Sequence, residues 1–507
     1  MATLEQQHAE PIPPHRGGAD LPGLGWPQIL AISIFWFALN FHWAALGIII
    51  LPSQVLKLVG DLEKGTALAF VLVPGAFVAL FSNPLFGWLS DRTGGRLAPW
   101  GRRRPYILLG SLVNAAVLAW MALAPDIPTL TVAYILVQLA SNAAQAPFHA
   151  LLPDIVPSEQ RGLVSGVMGL LQISGTIGGV IISGLFIDAR RPLPAYQQGL
   201  WLAYGIIIGI LLILMLVTII AVRERAAQKD VAEMAEQPAG VGARHRGRLP
   251  RISRPVILTI TGTLLATGVA WGLMALWNAW RLAGVQIGGD VQQVVLELIV
   301  AVGLLRLFDF NPRRDPDFAW VLLTRLVMML GIYTIQTFLQ YYMRDAVGAA
   351  HPEQETTNFV ILVSLTSLLS AFAAGWLSDR FGRKRMVYLS GALMGLVGLI
   401  FVVTHSLPIV IAAGALFGIG YGAYQSVDWA LVADVLPSRD NYARDMGVWN
   451  ISLSVPQVVA PVLGGPLIDV FTRAGNPVFG YQLLFIMAIA YCVIGTFTVR
   501  YIKGVKE

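Results

Sequence analysis

Gly-Trp-Leu-Ser-Asp-Arg occupies residues 87–92 and recurs unchanged at residues 375–380. In both places it closes an apolar run of about 20 residues, enough to cross a bilayer as an α-helix. Identical hexapeptides at corresponding ends of two such runs are poorly explained by chance. They indicate that the chain contains an internal duplication.

Two further pairs of segments recur in the same order around these hexapeptides. Residues 154–158 and 434–438 each begin with Asp and end with Pro-Ser, and each follows the fourth apolar run of its set. The fifth runs end alike, in Leu-Phe-Ile-Asp at 185–188 and Leu-Ile-Asp at 467–469. Three landmarks in one order predict a duplicated unit of six helices.

The composition indicates that these helices lie in a membrane. Of 507 residues, 56% are hydrophobic and only 13% are charged, whereas soluble proteins carry about a quarter charged residues. Runs of this length favour helices over the shorter, alternating spans of a β-barrel. The single cysteine, Cys492, excludes an intramolecular disulfide framework and multi-cysteine metal sites. We expect no cofactor and no metal ion.

The sequence thus predicts an all-α membrane protein with two pseudo-symmetric six-helix bundles. The predicted segments are an N-terminal tail 1–26, a first bundle 27–222, a linker 223–255, an inserted helical hairpin with its connection 256–317, a second bundle 318–499 and a C-terminal tail 500–507.

The inserted pair of apolar runs, at 256–280 and 291–308, has two possible arrangements. A single added crossing would place Arg383, Lys384 and Arg385 outside the cell, so both runs span or neither does. The second run carries Glu297 and Arg306. We favour fourteen helices; twelve spanning helices with a hairpin resting on the membrane is the alternative.

Basic residues set the predicted orientation. Most of the 35 Lys and Arg residues fall in cytoplasmic segments if both termini are cytoplasmic, as the positive-inside rule requires. The net charge of +6 therefore reflects membrane topology, and we expect no nucleic-acid partner. We predict a monomer in the cell membrane.

The two loops that follow the hexapeptides resemble a family signature. Each has Gly-x-x-x-Asp-Arg followed by a glycine and a basic cluster, which resembles the signature of the major facilitator superfamily of secondary transporters. The resemblance implies the major facilitator fold, in which two bundles rock about a central site. It also implies a conformational latch of charged residues, which are Asp91, Arg92, Arg102, Arg103, Asp379, Arg380, Arg383 and Lys384. Simple determination of topology by basic loops is the alternative role.

Three stretches are similar to the sucrose/proton symporters and their glycoside-transporting relatives. These are Gly-Arg-Arg-Arg-Pro-Tyr-Ile at 101–107, the stretch from Asn142 to Asp154, and Phe-His-Trp-Ala at 41–44. The resemblance implies a sugar or glycoside substrate moved with a proton. This chain has Gln138 and His149 where that branch carries an acidic residue and an arginine.

Polar side chains within the spans are candidate substrate ligands. By resemblance, the first and fourth helices of each bundle line the central cavity, and here they carry polar residues spaced by three, four or seven, which share one helix face. Amides suit hydroxyl-rich ligands and aromatic rings suit sugar faces. The alternative is hydrogen bonding between helices. The candidates are Asn40, Asn142, Gln145, His149, Tyr333, Gln336, Gln340, Tyr421, Tyr424 and Gln425.

Asp428 is the acidic residue placed well inside a core span, near the end of the fourth helix of the second bundle. A carboxylate that is protonated when buried and releases its proton when hydrated can couple proton movement to substrate movement. We therefore predict proton coupling at Asp428. An ion pair with Arg325 that serves bundle assembly is the alternative.

Other classes of function are less consistent with the sequence. It has no nucleotide-binding Gly-x-x-x-x-Gly-Lys, no His-Glu-x-x-His and no Gly-x-Ser-x-Gly, so we predict that it is not an enzyme. An exporter of amphipathic compounds and a non-transporting receptor or scaffold on the same fold remain alternatives.

Overall fold

A computed structural model describes residues 23–91, 101–221, 254–280, 288–307, 310–435 and 442–503. These residues form fourteen long helices joined by short connections. The helices are α1 (Trp26–Val59, with a π-helical stretch at Ala45–Ile50), α2 (Lys64–Asp91), α3 (Arg104–Ala122), α4 (Ile127–Ile155), α5 (Arg161–Phe186), α6 (Leu193–Ala221), α7 (Arg254–Trp280), α8 (Gly289–Leu307), α9 (Pro316–Asp345), α10 (Pro352–Phe381), α11 (Arg383–Val403), α12 (Leu407–Val435), α13 (Tyr442–Arg473) and α14 (Pro477–Thr498).

Twelve of the described helices are long and apolar enough to cross a membrane. They are α1–α6 and α9–α14, which we call the N-terminal half and the C-terminal half. The prediction of an all-α fold with fourteen helices is confirmed. Helices α7 and α8 pack against each other, and α8 also contacts α13 and α2. That this hairpin crosses the bilayer stays a prediction.

Several helices are longer than the apolar runs that predicted them. Helix α10 begins at Pro352, although its apolar run begins only at Asn358. Proline is well tolerated in the first turn of a helix, where its missing N–H is not needed. The polar residues that follow lower the hydropathy without interrupting the helix. As a result, the polar first turn of α10 brings Glu353 and Glu355 to the end of the bundle at which that helix begins.

The two ends of the bundle are distinguished by the described chain ends. Near the N-terminus, Leu24 N donates to Gln160 Oε1 beside the start of α5, at 2.7 Å. Near the C-terminus, Lys503 N donates to Asp317 Oδ1 at the start of α9, at 2.8 Å. Fourteen helices, an even number, separate them, so both described chain ends lie at one end of the bundle, which we call the terminal end. The opposite end is the distal end.

The two halves meet along α2 with α13 and along α5 with α10. At the distal end, a Cβ on Gly65 would lie 2.5 Å from the carbonyl oxygen of Gly465, and a Cβ on Gly184 would overlap Thr357. Gly184 and Gly465 stand at equivalent places of the duplication, four residues before the landmark aspartates of α5 and α13. We call the contact between the halves at this end the distal seam.

Candidate functional site

A buried ion pair lies inside the C-terminal half. Asp428 of α12 is 2% exposed and pairs with Arg325 of α9, which is 3% exposed. The Tyr424 hydroxyl donates to Asp428 Oδ1 at 3.3 Å, and the Arg325 guanidinium stacks 3.4 Å from the ring centroid of Trp449 in α13. The pair therefore connects three helices. Asp428 has the ion-pair partner considered as its alternative role, and proton coupling through it stays a prediction.

Two amide–phenol pairs lie in the same half. Gln425 Nε2 donates to the Tyr421 hydroxyl at 2.8 Å, and Gln457 Nε2 donates to the Tyr333 hydroxyl at 2.7 Å. All four side chains are half-buried. Each phenol proton and each amide oxygen remains able to hydrogen-bond a ligand. Among the described residues, no group of three or more His, Cys, Asp or Glu side chains is placed to hold a metal ion.

The N-terminal half carries its polar stripe along one face of α4. Gln138 Nε2 donates to the Tyr134 hydroxyl at 2.9 Å, and Asn142 Nδ2 donates to the carbonyl of Gln138 at 2.8 Å. Both amides are buried, whereas Gln145 is half-buried and His149 is exposed. Along this face, the buried amides form hydrogen bonds within α4, whereas the side chains nearer its C-terminal end are accessible.

Helix α1 contributes aromatic and amide groups beside this stripe. The His149 ring lies edge-on to Trp36, with 4.8 Å between ring centroids. Asn40 is half-buried, and its Nδ2 donates to the carbonyl of Trp36 at 2.8 Å. The structure thus brings Asn40 and Gln145 into one half-bundle with His149. Tyr424 is buried beside Asp428 in the other half.

The two glutamines of α9 have different surroundings. Gln336 is half-buried, but Gln340 is 3% exposed and lies against the π-helical stretch of α1. With its nitrogen toward α1, the Gln340 amide donates to the carbonyls of Ile48 and Ile49 at 3.0 and 3.1 Å. The reverse orientation gives one 3.4 Å contact to Glu353 Oε1. We adopt the first because it provides two well-placed acceptors. Gln340 therefore bridges the halves.

Charged residues of the distal seam were not predicted from the sequence. Lys64 at the start of α2 is 1% exposed and pairs with Asp345 at 2.5 Å, and the Tyr481 hydroxyl donates to the same carboxylate at 2.5 Å. Arg344 pairs with Asp61 in the connection before α2. This hydrogen bond from Arg344 holds the pKa of Asp61 below its usual value, against an opposing effect of partial burial.

Asp469 caps a helix of the opposite half. Its carboxylate accepts from Gly65 N at 2.9 Å and Thr66 N at 2.7 Å, in the first turn of α2. A carboxylate there satisfies free N–H groups and interacts favourably with the helix dipole. Since Asp469 belongs to α13, these bonds form only when the two halves are closed against each other.

The second part of the seam joins α10 to the N-terminal half. Glu353, 2% exposed, accepts at Oε1 from Ser53 Oγ at 3.1 Å and from Ala189 N at 2.9 Å. Thr357 Oγ1 donates to the carbonyl of Val180 at 2.9 Å. The sequence signal for this region was a set of polar residues beside the distal connections, outside the apolar runs.

The described residues of the predicted latch lie at the terminal end. Arg103 donates to Ser90 Oγ at 2.6 Å, and Arg383 pairs with Asp434 at 2.6 Å. Both contacts join elements of one half. The Arg380 guanidinium lies 4.0 Å from the ring centroid of Trp376, and Arg102 and Lys384 also have partners. The side chains of Asp91 and Asp379 are not described, and Arg92 lies outside the described residues. The latch stays a prediction.

Two family models match this chain. The model described as MFS/sugar transport protein matches residues 37–279, and the model described as Major Facilitator Superfamily matches residues 321–506. Together they include most of both halves. These matches with transporter families confirm the prediction that the chain is not an enzyme.

Known proteins resemble the chain at low identity. The sucrose transport protein SUT1 of Oryza sativa subsp. japonica is 22% identical, over 84% of this chain and 79% of that protein. The multidrug transporter protein MdtP of Bacillus subtilis (strain 168) is 20% identical, over 78% and 66%. The crystal structure of an auto-inhibited POT family peptide transporter superposes with a TM-score of 0.66 at 15% identity, over 93% and 96%, which shows a shared fold. The chain therefore belongs to the major facilitator superfamily and is a multi-pass membrane transporter.

Proposed function

We propose that the chain moves a sugar or glycoside together with a proton by alternating access of its two halves. The match of the N-terminal half to a model of sugar transport proteins supports the substrate class, as does the similarity to a sucrose transport protein over most of both chains. The further support comes from the chemistry of the polar side chains in both halves.

The sugar assignment rests mainly on the two amide–phenol pairs in the C-terminal half. Gln425 with Tyr421, and Gln457 with Tyr333, are half-buried inside spans yet keep unused donors and acceptors. Sugar hydroxyls both donate and accept, so such pairs suit them. Aromatic faces nearby suit the C–H side of a sugar ring. Gln145, at the place in the N-terminal half equivalent to Gln425, extends the proposed site.

The closed distal seam supports a site that faces the terminal end. Ion pairs, a helix cap and close glycine contacts hold the halves together at the distal end. In the predicted orientation this state faces the cytoplasm. We infer that transport exchanges this seam for contacts at the terminal end, where the latch residues lie.

We further propose that the Asp428–Arg325 pair couples the proton to the substrate. Each buried charge is tolerated because the other compensates it. A proton on Asp428 removes one charge and frees the Arg325 guanidinium to hydrogen-bond a substrate hydroxyl. Tyr424, which donates to Asp428, joins this site to the neighbouring Gln425.

Asp428→Asn tests this coupling. We expect the variant to retain counterflow of labelled sucrose in proteoliposomes, because asparagine is neutral like the protonated Asp428 through which the proposed cycle passes. It should lose accumulation driven by a pH gradient, because the amide takes up no proton. With one proton moved per substrate, the native protein can concentrate the substrate up to about tenfold for each unit of pH difference across the membrane. The variant should not concentrate it at all. Retained pH-driven accumulation in Asp428→Asn would remove this role.

The substrate class is tested with purified protein and a panel of sugars and glycosides in a thermal-shift assay. Stabilisation by one sugar, followed by its counterflow in proteoliposomes, is the expected result. Binding of a sugar without counterflow would indicate a receptor or scaffold. Stabilisation by amphipathic drugs alone would favour an exporter, a candidate supported by the similarity to a multidrug transporter.

A further inference from the structure

We propose that Glu353 is a proton-binding site of the distal seam, which carries a proton while the seam is closed and releases it when the seam opens. This inference rests on the proposed alternation of the two halves and is independent of which substrate they carry. It assigns a pH-dependent role in closing the distal seam to a residue that lies apart from the Asp428–Arg325 pair.

The two carboxyl oxygens of Glu353 have unequal surroundings. Oε1 accepts from Ser53 Oγ in α1 and from Ala189 N in the connection before α6, both in the opposite half. Oε2 is buried and has no hydrogen-bond partner among the described residues. The carboxyl group therefore lies inside the interface with one oxygen bonded and the other desolvated.

This arrangement favours a neutral carboxyl group. An ionised carboxylate loses its hydration on burial, and two donors on one oxygen do not replace what the other oxygen loses. The position of Glu353 in the first turn of α10 favours the anion, but an interaction with a helix terminus is smaller than the cost of burying an unpaired charge. A proton removes most of that cost.

The charged groups around Glu353 do not supply the missing counter-charge. Asp188 is a second carboxylate that acts on Glu353 electrostatically, and His351 Nδ1 lies 3.3 Å from Asp188 rather than against Glu353. Arg190 and Lys57 donate to backbone carbonyls of the distal connections. The basic groups of this region thus have other partners, and the nearest acidic group adds repulsion.

Two neutral polar groups complete the surroundings. With the Gln340 nitrogen bound to the carbonyls of α1, its amide oxygen faces the Glu353 carboxyl, and two acceptor oxygens face each other unless one carries a proton. The Tyr196 hydroxyl of α6 is buried without a partner and interacts electrostatically with Glu353. The Gln340 oxygen favours the protonated acid, and the neutral Tyr196 phenol supplies no counter-charge to the anion.

The consequence is a proton requirement for closing the distal side. When the seam opens, Glu353 leaves Ser53 and Ala189, meets water and ionises. The halves close at this end only after the carboxyl group takes a proton from the medium at the distal side. In the predicted orientation that medium is extracellular, and the proton returns to it when the seam opens, so acidity on that side favours closure without itself moving protons inward.

Spin-label distances across the seam test this linkage in the absence of any sugar. In a Cys492→Ser background, labels are placed on Leu123→Cys at the end of α3 and on Gln354→Cys in α10, both exposed, and the protein is reconstituted in membranes. We expect the open-to-closed ratio at the distal end to rise with pH, by up to about tenfold per pH unit, the limit for one proton. Glu353→Gln, permanently neutral, should remain closed at every pH.

Glu355→Gln is the matched control, because it makes the same chemical change two residues away in α10, at a half-buried carboxylate bonded to Asn358 of the same helix; it should respond as the native protein does. A native protein insensitive to pH, a Glu353→Gln variant that responds like the native one, or a response to sodium instead of pH would each overturn the proposal. Since no sugar is present, a failure of the proposed sugar transport would leave this result standing.

If Glu353→Gln fails to fold, Ser53→Ala provides the same test. It removes one donor from the carboxylate and leaves the titrating group in place. The anion is then less favoured in the closed state, so the pH midpoint of opening should move to higher pH. An unchanged midpoint would contradict a role for Glu353.

Discussion

Replacing Arg325 with methionine is expected to lower the free energy of unfolding by about 3–5 kcal/mol, the usual cost of leaving one partner of a buried ion pair uncompensated. Asp428 is 2% exposed and would keep only the 3.3 Å bond from Tyr424. Protonation of the orphaned carboxyl group relieves part of the cost, so the loss of stability should be smaller at acidic pH. Denaturant unfolding of the purified protein at two pH values measures both effects.

The double variant Arg325→Met/Asp428→Leu is the control. Replacing both members of a buried pair with apolar residues is often neutral or stabilising, so most of the lost stability should return. If the double variant is stable but no longer accumulates substrate against a pH gradient, the pair serves coupling beyond assembly. A single variant as stable as the native protein would show that the pair does not form as described.

Alanine at Gly465 is expected to open the distal seam. The added Cβ would overlap the backbone carbonyl of Gly65, and a backbone neighbour cannot move aside as a flexible side chain can. Overpacking of this kind costs about 1–3 kcal/mol, which shifts the closed-to-open ratio by about 5- to 150-fold. The same displacement separates Asp469 from the N–H groups that it caps in α2. Spin-label distances across the seam measure the shift.

Gly205→Ala is the matched control, since a Cβ at Gly205 meets nothing within 4 Å. It should leave both the distances and the thermal stability unchanged. Equal effects of the two substitutions would mean that the glycine contact does not hold the halves together. If Gly465→Ala lowers the thermal stability but leaves the spin-label distances across the seam unchanged, the substitution acts inside the C-terminal half and not on the seam.

The fold was predictable from the sequence because its signals are local. Apolar runs define the helices, and the repeated hexapeptide at 87–92 and 375–380 defines the duplication. The ion pair of Asp428 was also within reach, because few charged residues stand inside spans and Arg325 is another. Helix ends were less predictable: α10 starts at Pro352, before the apolar run that begins at Asn358, and the residues between are polar.

The distal seam was not predictable because it depends on the approach of segments far apart in the chain. Asp469 caps α2 across a sequence separation of 404 residues, and Lys64 pairs with Asp345 across 281. No periodicity indicates such contacts. The contact of Gln340 with α1 was unpredictable for the same reason. Its spacing from Gln336 predicted a shared face toward a ligand, yet the π-helical stretch of α1 provides the carbonyls that its amide binds.

We propose that the two homologous halves enclose an aqueous cleft lined by Gln145 and Gln425. In a Cys492→Ser background, Gln145→Cys and Gln425→Cys should both react with a membrane-impermeant thiol reagent applied at the terminal end. Leu369→Cys, at an apolar position of α10 that is 71% exposed, should react only with a lipid-soluble maleimide. If both glutamine positions also react only with the lipid-soluble reagent, they face the acyl chains, and the two halves enclose no aqueous cleft at these residues.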